Sequence, residues 1–185
     1  VPEIKAIETR YKGYRFRSRL EARYAVLFDF LKLKWEYEPE GYIINCPHDF
    51  GNGSSDCYYL PDFRINDFNW FVEVKAEGRG FLRGEDGEID GLGNFATIGR
   101  LSAMLDIPVL MLEGTPEPNL GLRLYKWEEV QEPYIPLYQC SFVSISGERF
   151  EVYHHTGLIN YLASNNLNDA IIAARSARFE HGESG

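Results

Sequence analysis

Apolar residues recur at every second position in two neighbouring stretches, at Phe63 and Ile65 and again at Trp70, Val72 and Val74. Between them lies Asn66-Asp67-Phe68-Asn69, a run of turn-forming residues. The pattern predicts a strand over 58–65, a four-residue turn and a returning strand over 70–76. With that loop length Ile65 faces Trp70, and counting back places Asp62 opposite Glu73. Successive strand side chains point to opposite faces, so the five apolar residues form one face and Asp62, Glu73 and Lys75 share the other. Pro61 has no amide hydrogen and fits best at the start of a strand or on an irregular edge.

Elsewhere the period lengthens to that of a helix. Ser18-Arg19-Leu20-Glu21 is a capping box, and it opens a stripe made of Leu20, Tyr24, Leu27, Phe28 and Leu31, with Glu21 at its margin. A second helix is predicted over 94–106, followed by a strand over 108–113. The glycine-rich, acidic segment 77–93 reads as a mobile linker placed to act as a flap. Its Glu85-Asp86-Gly87-Glu88-Ile89-Asp90 run lacks the ligand spacing of a calcium loop. Pro116, Pro118, Pro133 and Pro136 mark breaks. Beyond them a hairpin around Ser146-Gly147 (139–145 with 149–154) and a terminal helix over 168–180, capped by Asn168, are expected. Arg175 and Arg178 near the end of that helix are favoured there by its dipole, or they touch nucleic acid.

A chain of 185 residues with 44% apolar content is long enough for one packed domain with an appended part. The expected division is a core over 1–114 and a C-terminal extension over 115–185 packed on it. The net charge is −9, and an overall pI near 5.0 argues against tight nonspecific binding to nucleic acid. The charge is unevenly spread. Residues 1–34 carry nine Lys and Arg against four Asp and Glu, a local excess of five positive charges. Lys12, Arg15, Arg17, Arg19 and Arg23, interleaved with Tyr11, Tyr14 and Phe16, are candidates for contacting a sugar-phosphate backbone and stacking on a base. The alternative is a solvated strand and helix start.

Three cysteines without a CxxC pair argue against a zinc centre at Cys46, His48 and Cys57, and against a disulfide framework. A reducing cytoplasm is the simpler setting. No secretory or membrane-spanning segment is visible, so no membrane association is expected.

Two carboxylates held opposite each other, about 4.5 to 5.5 Å apart at Cβ, repel unless a cation offsets them. Oxygen ligands suit a hard ion such as magnesium, which takes one or two carboxylates and keeps several waters. Such an ion activates water and polarises a phosphate, and an ammonium at Lys75 orients the attacking water or steadies the developing charge. The plain alternative is an exposed hairpin with a weak Glu73–Lys75 ion pair. Trp70, Phe71, Val72 and Val74 around the pair argue for a buried strand instead.

Pro61-Asp62 followed by Glu73-Val74-Lys75 resembles the signature of the PD-(D/E)XK nuclease superfamily, and small phage-encoded endonucleases within it. The resemblance covers residues 11–114. It implies an α/β fold with a restriction-endonuclease-like core of helix, three strands, helix and strand, its mixed central sheet flanked by helices. It also implies Asp62, Glu73 and the Val74 carbonyl as metal ligands, with Mg2+ as cofactor and Mn2+ able to substitute. Lys75 is implied at the attacking water, and Glu21 as an assisting residue rather than only a helix cap. Arg100 resembles a basic residue that some members place near the phosphate, and reads equally well as a solvent-facing arginine. The leading expectation is a magnesium-dependent endonuclease acting on DNA in a cytoplasm, that of a host cell if phage-encoded. The alternative is a noncatalytic protein of the same fold that binds a host or phage protein through its acidic surface.

Overall fold

Ser18 is extended (φ −139°, ψ 156°) and its hydroxyl accepts the Glu21 amide, so helix α1 (Arg19–Phe30) begins where the capping box predicts. The computed structural model describes residues 6–47, 54–77, 82–83, 89–90, 92–117, 121–130, 137–144 and 166–181. Ahead of α1, strands β1 (Thr9–Tyr11) and β2 (Tyr14–Phe16) form an antiparallel hairpin. Its loop is Lys12-Gly13, with φ of 49° and 83°. Positive φ at both loop positions matches the twist of a tight hairpin.

The central sheet is mixed and has six strands, in the order β12 (Leu137–Ser144), β11 (Gly121–Val130), β10 (Val109–Glu117), β7 (Trp70–Lys75), β6 (Phe63–Ile65) and β3 (Trp35–Tyr37). β7 and β10 run parallel, and the other neighbours run antiparallel. A parallel pair requires a long crossover, and helix α2 (Leu92–Leu105) lies in it. The same connection holds a short antiparallel pair, β8 (Leu82–Arg83) with β9 (Ile89–Asp90). The expected structureless flap is therefore partly ladder, and the rest of it lies outside the described residues.

Both faces of β7 are buried, as befits a strand with a parallel neighbour. On one face Phe63, Ile65, Trp70, Val72 and Val74 join Leu110 and Leu112 beneath Tyr24, Leu27 and Phe28 of α1, as the alternation predicts. Leu167, Ala170, Ile171 and Ala174 of helix α3 (Leu167–Ser176) complete that layer. On the other face Phe71, Val109 and Met111 pack against Ile98 and Leu101 of α2 and Ile44 of β4 (Tyr42–Pro47). β4 pairs with β5 (Ser54–Tyr59) in a separate two-stranded ribbon. The architecture is α/β, a mixed sheet with helices on both faces. Among the described residues no helix is long and apolar enough to cross a membrane.

Several expected boundaries change. The single strand over 58–65 is two strands in different sheets, β5 and β6, separated by Leu60-Pro61-Asp62. Pro61 has no amide hydrogen to continue a ladder, which accounts for the break. The terminal helix starts earlier and is shorter than 168–180. Asn166, not Asn168, caps it, in a left-handed conformation (φ 41°) without a side-chain bond. The chain then extends, and β13 (Glu180–His181) pairs with β1, Thr9 opposite His181. The expected strand 139–145 overlaps β12 over 139–144, with position 145 outside the described residues, but β12 pairs with β11. Its expected partner, 149–154, lies outside the described residues. β10 crosses position 114, so the sheet continues from the core into the C-terminal extension.

Phe63 is fully buried, with ring centroids of Phe16, Phe28, Trp35 and Tyr37 between 5.4 and 6.0 Å away. Phe63→Ala is expected to lose about 3–5 kcal/mol of stability, the usual cost of an aromatic cavity. A urea unfolding midpoint close to that of the parent chain would contradict this packing.

Candidate active site

The ladder between β6 and β7 pairs Ile65 with Trp70, Arg64 with Phe71 and Phe63 with Val72. The predicted register therefore holds over these pairs, and the next position is Asp62. There the ladder stops, since Asp62 lies in a bend just ahead of β6. Its side chain takes the place of a strand partner. Oδ2 accepts the Val74 amide at 2.7 Å. The expected face-to-face strand pair is thus replaced by a carboxylate that caps the exposed edge of β7. The Asp62 carbonyl, in turn, accepts the Glu38 amide at 2.9 Å, tying the bend to the end of β3.

Asp62 and Glu73 are 4% and 5% exposed. Each is held by a cation and a neutral donor. The Arg17 guanidinium lies 2.6 Å from Asp62 Oδ1, and its Nε lies 2.7 Å from Glu38. Lys75 Nζ is ion-paired with Glu73 Oε1, and the Tyr59 hydroxyl donates to Glu73 Oε2. This is the expected Glu73–Lys75 pair, but on a buried acid rather than an exposed hairpin. Burial pushes the Asp62 carboxyl up from 3.8 to about 8, and the neighbouring Glu73 and Glu21 add to this. The Val74 amide and Arg17 act in the opposite direction and do not cancel it. Burial, then Glu73, also drive the Tyr59 phenol well above its ordinary range, so it remains a proton donor to Glu73.

Glu21 joins the same network from α1. Its carboxylate accepts the Ser18 hydroxyl at 2.7 Å, the Arg17 amide at 3.2 Å and the Tyr37 hydroxyl at 2.6 Å. It is a helix cap, and its charge also acts on Asp62. The two readings of Glu21 are therefore not exclusive. Two bonded groups result, Glu21 and Asp62 joined through Arg17 and Tyr37, and Glu73 held by Lys75 and Tyr59, with the charge of Glu73 acting on Asp62.

The basic residues divide differently. Lys12 pairs with Asp29 at 3.0 Å, Arg15 with Glu8, and Arg17 with Asp62 and Glu38. These three carry internal partners. Phe16 is fully buried, and Tyr14 leans on Trp35 at 5.0 Å between ring centroids. Phe16 therefore cannot stack on a base as expected. Arg100 is half-buried on α2, and among the described residues it has no hydrogen bond or ion pair with the four site residues. Cys57 is disulfide-bonded, which removes it as a thiolate ligand and departs from the expected absence of disulfides. His48 lies outside the described residues.

Arg17, Tyr37 and Tyr59 are the residues that sequence reasoning missed in this role. In the sequence Arg17 groups with the candidate phosphate contacts. Tyr59 lies three residues before Asp62, but nothing local reveals that β5 turns its hydroxyl toward Glu73.

Among the described residues, no three His, Cys, Asp or Glu side chains converge as a metal cluster. A magnesium ion needs fewer, because one or two carboxylates with waters suffice. Each carboxylate can accept about four hydrogen bonds, so Asp62 and Glu73 keep free lone pairs beside their present donors. The buried, proton-hungry Asp62 next to a second acid fits a hard cation. Comparison with family models, with curated proteins and with solved structures found no match.

The raised Asp62 carboxyl has a signed consequence. Between about pH 4 and pH 8 the folded chain holds a proton that the unfolded chain has released, so stability falls as pH rises through that window. Without divalent metal, the parent chain is expected to lose more melting temperature between about pH 5 and pH 8 than Asp62→Asn does. Added magnesium is expected to raise the melting point more at about pH 8 than at pH 6, because the ion needs the ionised acid. Equal pH slopes for the two chains in thermal melts would refute this account.

Proposed function

We propose that the chain is a magnesium-dependent DNA endonuclease with a restriction-endonuclease-like core, hydrolysing phosphodiester bonds at Asp62, Glu73 and Lys75. The observation that carries this reading is the pair of buried acids at the end of β7 with the Lys75 ammonium on one of them. The order of α1, β6, β7, α2 and β10 supports it, as does the resemblance of Pro61-Asp62 and Glu73-Val74-Lys75 to the PD-(D/E)XK signature.

Asp62, Glu73 and the Val74 carbonyl would hold the metal. The N–H and C=O of one strand residue point to the same edge, and the Val74 amide points to Asp62. A bound magnesium ion supplies Lewis acidity toward the phosphate and lowers the pKa of its water. Lys75 orients the attacking water and steadies charge on the phosphate oxygens. Glu73 holds Lys75 in reach until substrate arrives. Arg17 keeps Asp62 aimed at Val74, and Glu21 positions the Arg17 main chain through its amide.

A second reading has one specific observation in its favour. Every oxygen of Asp62, Glu73 and Glu21 already has an internal partner, as in a polar network that only stabilises the fold. On that reading the protein keeps the nuclease fold without catalysis and binds a protein partner.

Asp62→Ala and Lys75→Ala are each expected to lower cleavage by at least about a hundredfold, the usual effect of losing a general acid-base or charge-stabilising group. Folding should persist by circular dichroism. Full activity in Asp62→Ala defeats the mechanism. No cleavage by the parent chain on single-stranded, nicked, branched or duplex DNA, with magnesium and with manganese, favours the noncatalytic reading.

Glu21→Gln keeps the cap but removes the charge, so it separates the two roles. A site role predicts reduced cleavage at an unchanged melting temperature. Unchanged cleavage leaves Glu21 as a cap alone.

A further inference from the structure

Arg19 and Arg23 stand four residues apart on α1, so they share one flank of the helix. Glu21 projects from nearly the opposite side, roughly 160° away at 3.6 residues per turn. α3 packs along α1 through Ala170, Ile171 and Ala174. Arg175 follows Ala174 directly and is pinned, donating from Nη1 to the Pro116 carbonyl at 3.1 Å and standing 3.8 Å from Glu117.

The three guanidinium groups feel one another. Burial first, then the charges of Arg175 and Arg19, lower the Arg23 pKa. The Arg19 Nε atom is buried and has no hydrogen-bond partner among the described residues. Among those residues neither Arg19 nor Arg23 is ion-paired, unlike Lys12, Arg15 and Arg17. Like charges gathered on two helices, with Arg19 and Arg23 free of ion pairs among the described residues, call for an anion. A planar guanidinium fork matches phosphate oxygens two at a time.

We infer that Arg19, Arg23 and Arg175 form a seat for the phosphodiester backbone of nucleic acid on the α1–α3 flank, on the side of α1 away from Glu21. The choice of nucleic acid rests on the endonuclease reading above. The seat lies across α1 from Glu21, and the C-terminal helix takes part in substrate binding through Arg175.

The test is fluorescence anisotropy of a short fluorescein-labelled DNA duplex with the full chain in EDTA, where no cleavage occurs, across a salt series. Arg23→Gln with Arg175→Gln is expected to weaken binding about tenfold at low salt. It should also flatten the log–log salt slope by about 0.9 for each phosphate that the variant no longer neutralises. Arg23→Lys with Arg175→Lys should restore most of the slope, which a merely misfolded variant would not do. Unchanged affinity and slope in the glutamine variant overturn the inference. So does an equal loss of binding to labelled poly-glutamate, which would mark a surface for an acidic protein instead. Cleavage by the parent chain with no effect of the arginine changes would sink the seat and spare the nuclease. Arginine-dependent binding without cleavage would do the reverse.

Discussion

The bond from the Val74 amide to the Asp62 carboxylate is the interaction on which the rest of the site depends. Pro61 cannot donate to a neighbouring strand, so the chain leaves the ladder there and β6 begins one residue after Asp62. The amide of Val74 would then stand unpaired inside the protein, at a cost of about 1–3 kcal/mol. Asp62 satisfies it and in doing so is drawn into a buried position beside Glu73. A proline that interrupts a strand thus brings two acids together. The unfavourable electrostatics that follow are what a cation would relieve.

The network around those acids is arranged in matched pairs. Arg17 and Lys75 supply one positive group to each carboxylate, and Val74 and Tyr59 supply one neutral donor to each. Tyr37 does for Glu21 what Tyr59 does for Glu73. These partners come from β3, β5, β7 and the segment joining β2 to α1, so the site is assembled from elements far apart in the chain. Loosened packing anywhere around Phe63, which lies next to Asp62, would reach it.

Much of this is legible in the sequence. The two-residue periodicity fixes the register of Ile65 against Trp70, and the capping box locates the start of α1, because both signals are local. Asp62, Glu73 and Lys75 can be placed together by counting along one hairpin. Distance in the chain is what hides the rest. Arg17 looks like one more member of a basic run until the bend at Asp62 gives it a partner, and the Tyr59 hydroxyl finds Glu73 only after β5 leaves the sheet that holds β6. The end of α3 departs from expectation for a similar reason. Its sequence tolerates more helix, but Glu180 and His181 pair with β1 at the other end of the chain, and tertiary pairing outweighs a weak local preference.

That last pairing bears on how the molecule is made. Thr9 and His181 lie far apart in the sequence yet pair, a contact of very high sequence separation that is slow to form. On a ribosome the β1–β2 hairpin emerges well before its third strand and must wait for residues 180–181 to be made. The segment that carries Arg17 to Asp62 follows directly from that hairpin. Final ordering of the acidic centre is thereby coupled to the arrival of the C-terminal strand, and a nascent chain stalled before that strand would carry an incompletely braced centre.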